Sequence, residues 1–106
     1  MIYFSIIEIF NECIELAKYT YDHEGRLSEM SNHLEEHPGM VYLTDENDNT
    51  LLHHAAENGN FRMCKLLMGN GANKDSRNHT NQTPFHLAEI HFKETEKMIY
   101  AIDNWV

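Results

Sequence analysis

At 106 residues the chain has room for one domain with a modest core. It carries 17 acidic and 8 basic residues, net −9, and the imbalance lies almost wholly in residues 1–57, with 12 acids against Lys18 and Arg26. Such a first half repels nucleic acid and attracts a basic protein partner, although surface acids also serve plain solubility.

Ser5-Ile6-Ile7-Glu8 has the form of a capping box. Ile6, Ile9/Phe10, Cys13 and Leu16/Ala17 then recur at helical spacing, with Glu8, Glu12 and Glu15 largely on the other side. A helix is predicted from about Ser5 to Tyr21, closed by Gly25. Leu27, Met30 and Leu34 mark a second helix, which His37-Pro38-Gly39 ends. Met40-Val41-Tyr42-Leu43 reads as a short extended apolar link, and Asp45-Glu46-Asn47-Asp48-Asn49 as turn chemistry.

Thr50 can cap the next helix, in which Ala55 and Ala56 permit close helix approach. Gly59 reverses the chain and Asn60 can cap the following helix. Its buried side is Phe61, Met63/Cys64 and Leu66/Leu67, and Gly71 fits the left-handed position after its end. Thr83 caps a helix over Pro84–His91, with proline at the first helical position. A last helix is expected from Glu94 or Thr95 to Asn104, its register open.

Thr50 and Thr83, His53 and His86, and Ala55 and Ala88 are all 33 residues apart. A period of this length marks stacked helix pairs. The stretches Thr50-Leu51-Leu52-His53-His54-Ala55-Ala56-Glu57-Asn58-Gly59 and Thr83-Pro84-Phe85-His86-Leu87-Ala88 carry the signature T-P-L-H-x-A-A-x-x-G in part, and Gly71-Ala72 follows a helix containing Leu66-Leu67. The chain therefore resembles the ankyrin-repeat family. Asp48 and Asn81 stand where that pattern has glycine, and both side chains tolerate the left-handed conformation.

The resemblance implies an all-α solenoid of three stacked antiparallel helix pairs with protruding β-hairpin or turn tips. Residues 1–44 would form an N-terminal capping repeat, 45–77 a full repeat and 78–106 a C-terminal capping repeat. The implied function is protein–protein recognition through the tips and the concave helix face, as adaptor, effector or small inhibitor of a partner that is basic if the charge is used. The alternative is a structural fragment or subunit of a longer or self-associating array. Carried over by position, the partner-binding residues would be Glu46, Asn47, Asn49, Glu57 and Asn58, then Arg77, His79, Thr80, Gln82, Ile90 and His91. Thr50, His53, Thr83 and His86 would be structural hairpin anchors.

No assembled catalytic motif appears, so neither enzymatic activity nor a cofactor is expected. His33 and His37 are four apart, as a pair of zinc ligands would be, but two are too few, and no metal is expected. His54 occupies a usually apolar position and reads as a hydrogen-bonded core histidine or a pH-sensitive spot. Cys13 and Cys64 make no disulfide framework, which suits an intracellular, cytoplasmic location, with secretion as an effector left open. The apolar start lacks a basic segment and a cleavage site, and no run has the length of a membrane span, so no membrane partner is expected.

Overall fold

Residues 5–18 and 25–91 are described by the computed structural model. Expectations for the first four residues, for 19–24 and for the helix beyond His91 lie outside them. Helix α1 runs Ile6–Lys18 and buries Phe10, Cys13, Ile14, Leu16 and Ala17. The Ser5 hydroxyl accepts the Glu8 N–H at 3.2 Å, so a free donor of the first turn is capped by a side chain. Ile6, expected with the apolar set, is instead 43% exposed, and Ile7 is 67% exposed. Apolar residues cover more of α1 than its packed face needs.

Helix α2, Arg26–Glu36, follows Gly25 and buries Met30 and Leu34. The extended link expected after it is instead a 3-10 helix, Pro38–Tyr42. Pro38 presets the first turn, and the Met40 N–H reaches the His37 carbonyl at 2.9 Å. An extended strand would send Met40 and Val41 to opposite faces. The tight helix buries both, each 1% exposed.

Helix α3, Leu51–Glu57, and helix α4, Phe61–Gly69, form the central pair. The Thr50 hydroxyl caps α3 by accepting the His53 N–H, and the Asn60 amide oxygen caps α4 by accepting the Met63 N–H. Asn60 also donates to the Ala17 carbonyl at 3.2 Å, tying the start of α4 to the end of α1. Both helices end in the same way. The N–H groups of Gly59 and Asn60 return to the carbonyls of Ala56 and Ala55, and those of Gly71 and Ala72 to Met68 and Leu67. This is the paired 5→2 and 6→1 pattern, with glycine left-handed at φ 71° and 95°. Helix α5, Pro84–His91, opens the third unit.

Helix α3 packs against α1 on one side and α5 on the other, while α4 lies behind it and against α2. The stack leaves Ala55, Ala56 and Ala88 with no exposed surface, consistent with close backbone approach. Between the pairs project two turns, 45–49 and 78–82, and no strand forms among the described residues. The turns superimpose in logic: Asp45 N–H to Asn49 carbonyl and Asp48 N–H to Asp45 carbonyl in the first, Asn78 to Gln82 and Asn81 to Asn78 in the second. Asp48 and Asn81 are left-handed at φ 62° and 61°, as their side chains allow.

The end of α4 offers a test of sign. Gly69 lies within the helix with open space where a Cβ would stand; Gly71 is left-handed, and its Cβ would meet the Tyr42 hydroxyl at 3.1 Å. Gly69→Ala should raise stability by about 0.5 kcal/mol, because glycine loses more chain entropy on folding. Gly71→Ala should lower it by about 1–2 kcal/mol, the cost of the left-handed backbone. Urea melts of the two variants are expected to shift in opposite directions.

Candidate functional site

The two turns are held together by polar contacts that start at the base of α3. His53 is buried, and its Nδ1 accepts the Thr50 N–H at 3.1 Å with the Thr50 hydroxyl 2.9 Å away. On the other side of the ring, Nε2 lies 2.8 Å from the Gln82 carbonyl, 29 residues on. A carbonyl only accepts, so Nε2 carries the hydrogen and Nδ1 is the acceptor: the ring is neutral in this arrangement. Burial holds its pKa below the ordinary imidazole value, against the opposing pull of the Gln82 carbonyl. Further links follow outward. Asn78 donates to the Asn49 side chain at 2.9 Å, and the His79 N–H reaches the Asn47 carbonyl at 2.8 Å. His86 and Thr83 exchange the same local contacts as His53 and Thr50, each at 3.2 Å.

Each turn is organised by its first side chain. Asp45 Oδ1 accepts the N–H groups of Asn47 and Asn49, both at 2.9 Å. Its other oxygen lies 2.8 Å from His54 Nε2. Burial works to raise the Asp45 pKa, but the two N–H groups and His54 outweigh it and hold the carboxyl below its usual value. Asn78 does the same work in the second turn, accepting the N–H groups of Thr80 and Gln82. His54 is therefore a hydrogen-bonded histidine, 9% exposed, in a position where an apolar side chain would leave Asp45 unpaired on that side.

Beneath the first turn lies a groove of about 670 Å³. One wall is α1, through Ile6, Ile7, Phe10, Asn11, Ile14, Glu15 and Lys18; the other is Leu43, Thr44, Asp45, Glu46 and His54. Its floor is apolar and its rim mixed, with Glu15 3.6 Å from Lys18 and Glu46 exposed at the turn.

Of the residues placed by the sequence pattern at a binding surface, Glu46, Asn47, Arg77, His79, Thr80 and Ile90 are exposed. Several of the others are engaged internally. Asn49 accepts from Asn78, Gln82 accepts from Thr80 at 2.7 Å, and Asn58 donates to the His54 carbonyl at 2.8 Å. Arg77 also bonds the Asn81 carbonyl at 3.1 Å. Glu57 is half-buried on α3, and the His91 side chain lies outside the description. Only Glu46 of this set lines the groove, whose α1 wall the repeat pattern does not indicate. The available signal was the surplus of isoleucine on α1, with Ile6, Ile7, Ile9 and Ile14 pointing more ways than one packed face can absorb.

The thiols are free and buried. Burial pushes both up to about 12, with Glu12 and Glu29 adding to the effect at Cys13, so neither offers a thiolate nucleophile at neutral pH. Among the described residues no helix is long and apolar enough to cross a membrane.

A family model described as ankyrin repeats (3 copies) matches residues 9–102. Inversin from Canis lupus familiaris is 44% identical over 51 residues, 48% of this chain and 5% of inversin. Human inversin is 42% identical over a stretch of the same length. A homolog of transient receptor potential cation channel subfamily A member 1 from Caenorhabditis elegans is 32% identical over 78 residues, 74% of this chain and 6% of that protein. The chain thus corresponds to a small part of each relative.

Two measurements test the polar anchor. Thr50→Ala and His53→Ala should each cost about 1 kcal/mol or more, from the lost cap and from polar groups left unpaired. Because the two residues share contacts, the double variant should lose measurably less than the sum; strictly additive urea midpoints would dissolve the network.

The second is pH dependence. Since the folded His53 pKa is lowered, the unfolded chain, near 6.5, takes up this proton first. Stability should then fall as pH drops below about 6.5, by at most about 1.4 kcal/mol per pH unit, levelling once the folded ring protonates. A further loss should begin below about 4, where the unfolded Asp45 carboxyl takes up its proton first, and should level once the lowered carboxyl of the folded chain is protonated. Urea melts from pH 7.5 to 5.5 should show a shallower decline in His53→Gln than in the parent.

Proposed function

This chain belongs to the ankyrin-repeat family, and we propose that it is a binding module whose protein partner lies along the groove between α1 and the first turn. Ankyrin repeats are in general protein–protein interaction modules and a non-enzymatic fold. The observation that carries the reading is Ile6 and Ile7, 43% and 67% exposed, bordering a groove whose walls also bear Glu15 and Glu46. Water-exposed isoleucine beside a concave apolar floor gains free energy on being covered, about 25 cal/mol per Å² of apolar surface buried. The partner that fits is an extended or helical segment with an apolar strip and basic flanks.

The turns would supply the outer part of the same surface. Glu46 and Asn47, with His79 and Thr80 on the second turn, present polar side chains on a frame already fixed by hydrogen bonds, so little ordering entropy would be lost on binding. Asn49, Gln82 and Arg77 would act mainly by holding that frame. The role would need neither cofactor nor catalysis, and two buried, reduced thiols suit an intracellular setting.

A second reading rests on the same isoleucines. The relatives are far longer than this chain, and Ile6 and Ile7 could instead pack against another repeat or a second copy. Selection of displayed peptides on the purified chain separates the two. If the groove receives a partner segment, enriched peptides should combine two or more apolar residues with Lys or Arg. Their affinity should fall at least about tenfold, 1.4 kcal/mol, in Ile7→Glu. Lys65→Glu, on the exposed side of α4, should leave it unchanged. Selected peptides that bind both variants equally would remove the groove from the site. Sedimentation showing a dimer that Ile7→Glu dissociates would favour the second reading.

A further inference from the structure

The seam between α1 and α2 carries a second group of side chains, none of which lines the groove. Glu29 and His33 are four residues apart on α2 and so share a face. Glu12 reaches them from α1. One carboxylate oxygen from each glutamate and one imidazole nitrogen lie within 4.8 Å of one another.

Two features of His33 distinguish this group from an ordinary acidic surface. Its Nε2 atom is sealed from solvent and has no hydrogen-bond partner among the described residues, although 19% of the side chain is exposed. Buried polar atoms are rarely left so. The nearest carboxylate oxygen, on Glu12, stands 3.6 Å away. That is too far for a hydrogen bond. It is close to the separation of about 3.4 Å between two ligand atoms each about 2.1 Å from a tetrahedral ion.

We propose that Glu12, Glu29 and His33 form a three-ligand site for a divalent transition ion, with zinc the best match, that clamps α1 to α2. The imidazole nitrogen argues against magnesium and calcium, which take oxygen ligands. Two carboxylates and a neutral imidazole bring two negative charges to a dication, and a first half with ten more acids than bases favours its approach. Three protein ligands leave a fourth position for water. Glu12 and Glu29 are exposed, so their carboxylates can close the remaining distance by side-chain rotation. His37, the other member of the pair suggested by spacing, lies beyond α2 and outside the group. The third ligand comes from the neighbouring helix instead, which no spacing within α2 reveals.

The test is a zinc titration of the whole chain at pH 7.5, read by competition with a chromophoric chelator and by the urea midpoint. One equivalent should bind with a dissociation constant below about 100 μM, and saturating zinc should raise the midpoint, because an ion that binds only the folded chain stabilises it. His33→Gln and Glu12→Gln should each weaken binding at least about tenfold, and His37→Gln should leave it unchanged. Millimolar magnesium should not compete. Circular dichroism establishes that the variants fold; should His33→Gln not fold, the exposed Glu12→Gln decides alone. Absence of saturable binding below about 100 μM would overturn the site. Equal zinc affinity in Glu12→Gln and the parent would overturn it too, by assigning the ion to other histidines.

Discussion

The hydrogen bond from His53 Nε2 to the Gln82 carbonyl is the contact on which the relation between repeats rests. Apolar packing of α3 between α1 and α5 is strong but not directional. A buried neutral imidazole is directional at both ends. Its Nδ1 is fixed by the N–H of Thr50, which leaves Nε2–H to reach the Gln82 carbonyl at 2.8 Å. The cap of one helix and the position of the next turn are thereby set by one ring. The outer links, Asn78 to Asn49 and His79 to Asn47, add register at the edge but are more exposed to water, where a hydrogen bond contributes less.

Much of this fold was legible because its rules are local. Thr50 and Asn60 before apolar runs, Gly59 and Gly71 after them, and Pro84 at a helix start each answer to a single backbone group. Asp48 and Asn81 were readable as glycine substitutes because the left-handed region admits few other side chains. The segment 38–42 was misread because Met40-Val41-Tyr42-Leu43 is too short for periodicity to separate strand from helix. Pro38 decided the matter from outside the run. The α1 wall of the groove was hidden for a different reason. Helical spacing identifies apolar faces but not which of them the neighbours cover, and Ile6, in register with the apolar set, is 43% exposed.

Asp45 shows how few residues separate frame from surface. One oxygen organises the first turn, the other meets His54, and the residue also forms part of the groove wall. Replacing it would change turn, helix contact and groove together, so loss of binding in such a variant would carry no information about recognition. Glu46, its exposed neighbour, bears on the groove without holding the turn, and Ile7 bears on it without being buried. Only residues of this kind can separate binding from folding in this chain.

The acidic first half can be reconsidered once its members are placed. Asp45 is engaged in a turn and with His54, and Glu15 faces Lys18 at the groove edge. Glu12 and Glu29 lie at the seam between α1 and α2. Glu8, Glu35 and Glu36 are exposed elsewhere on the two helices, and Glu46 stands at the first turn. Among the described residues the charge is therefore spread over the first helix pair and the first turn rather than gathered at one mouth. Spread charge would draw a basic partner of the proposed kind toward this end of the stack and speed its arrival at low salt, but would not by itself fix where that partner settles. Position has to come from shape and apolar contact. Among the described residues, a place that offers both is the α1 wall of Ile6, Ile7, Phe10 and Ile14, set against a turn that three hydrogen bonds on Asp45 hold still.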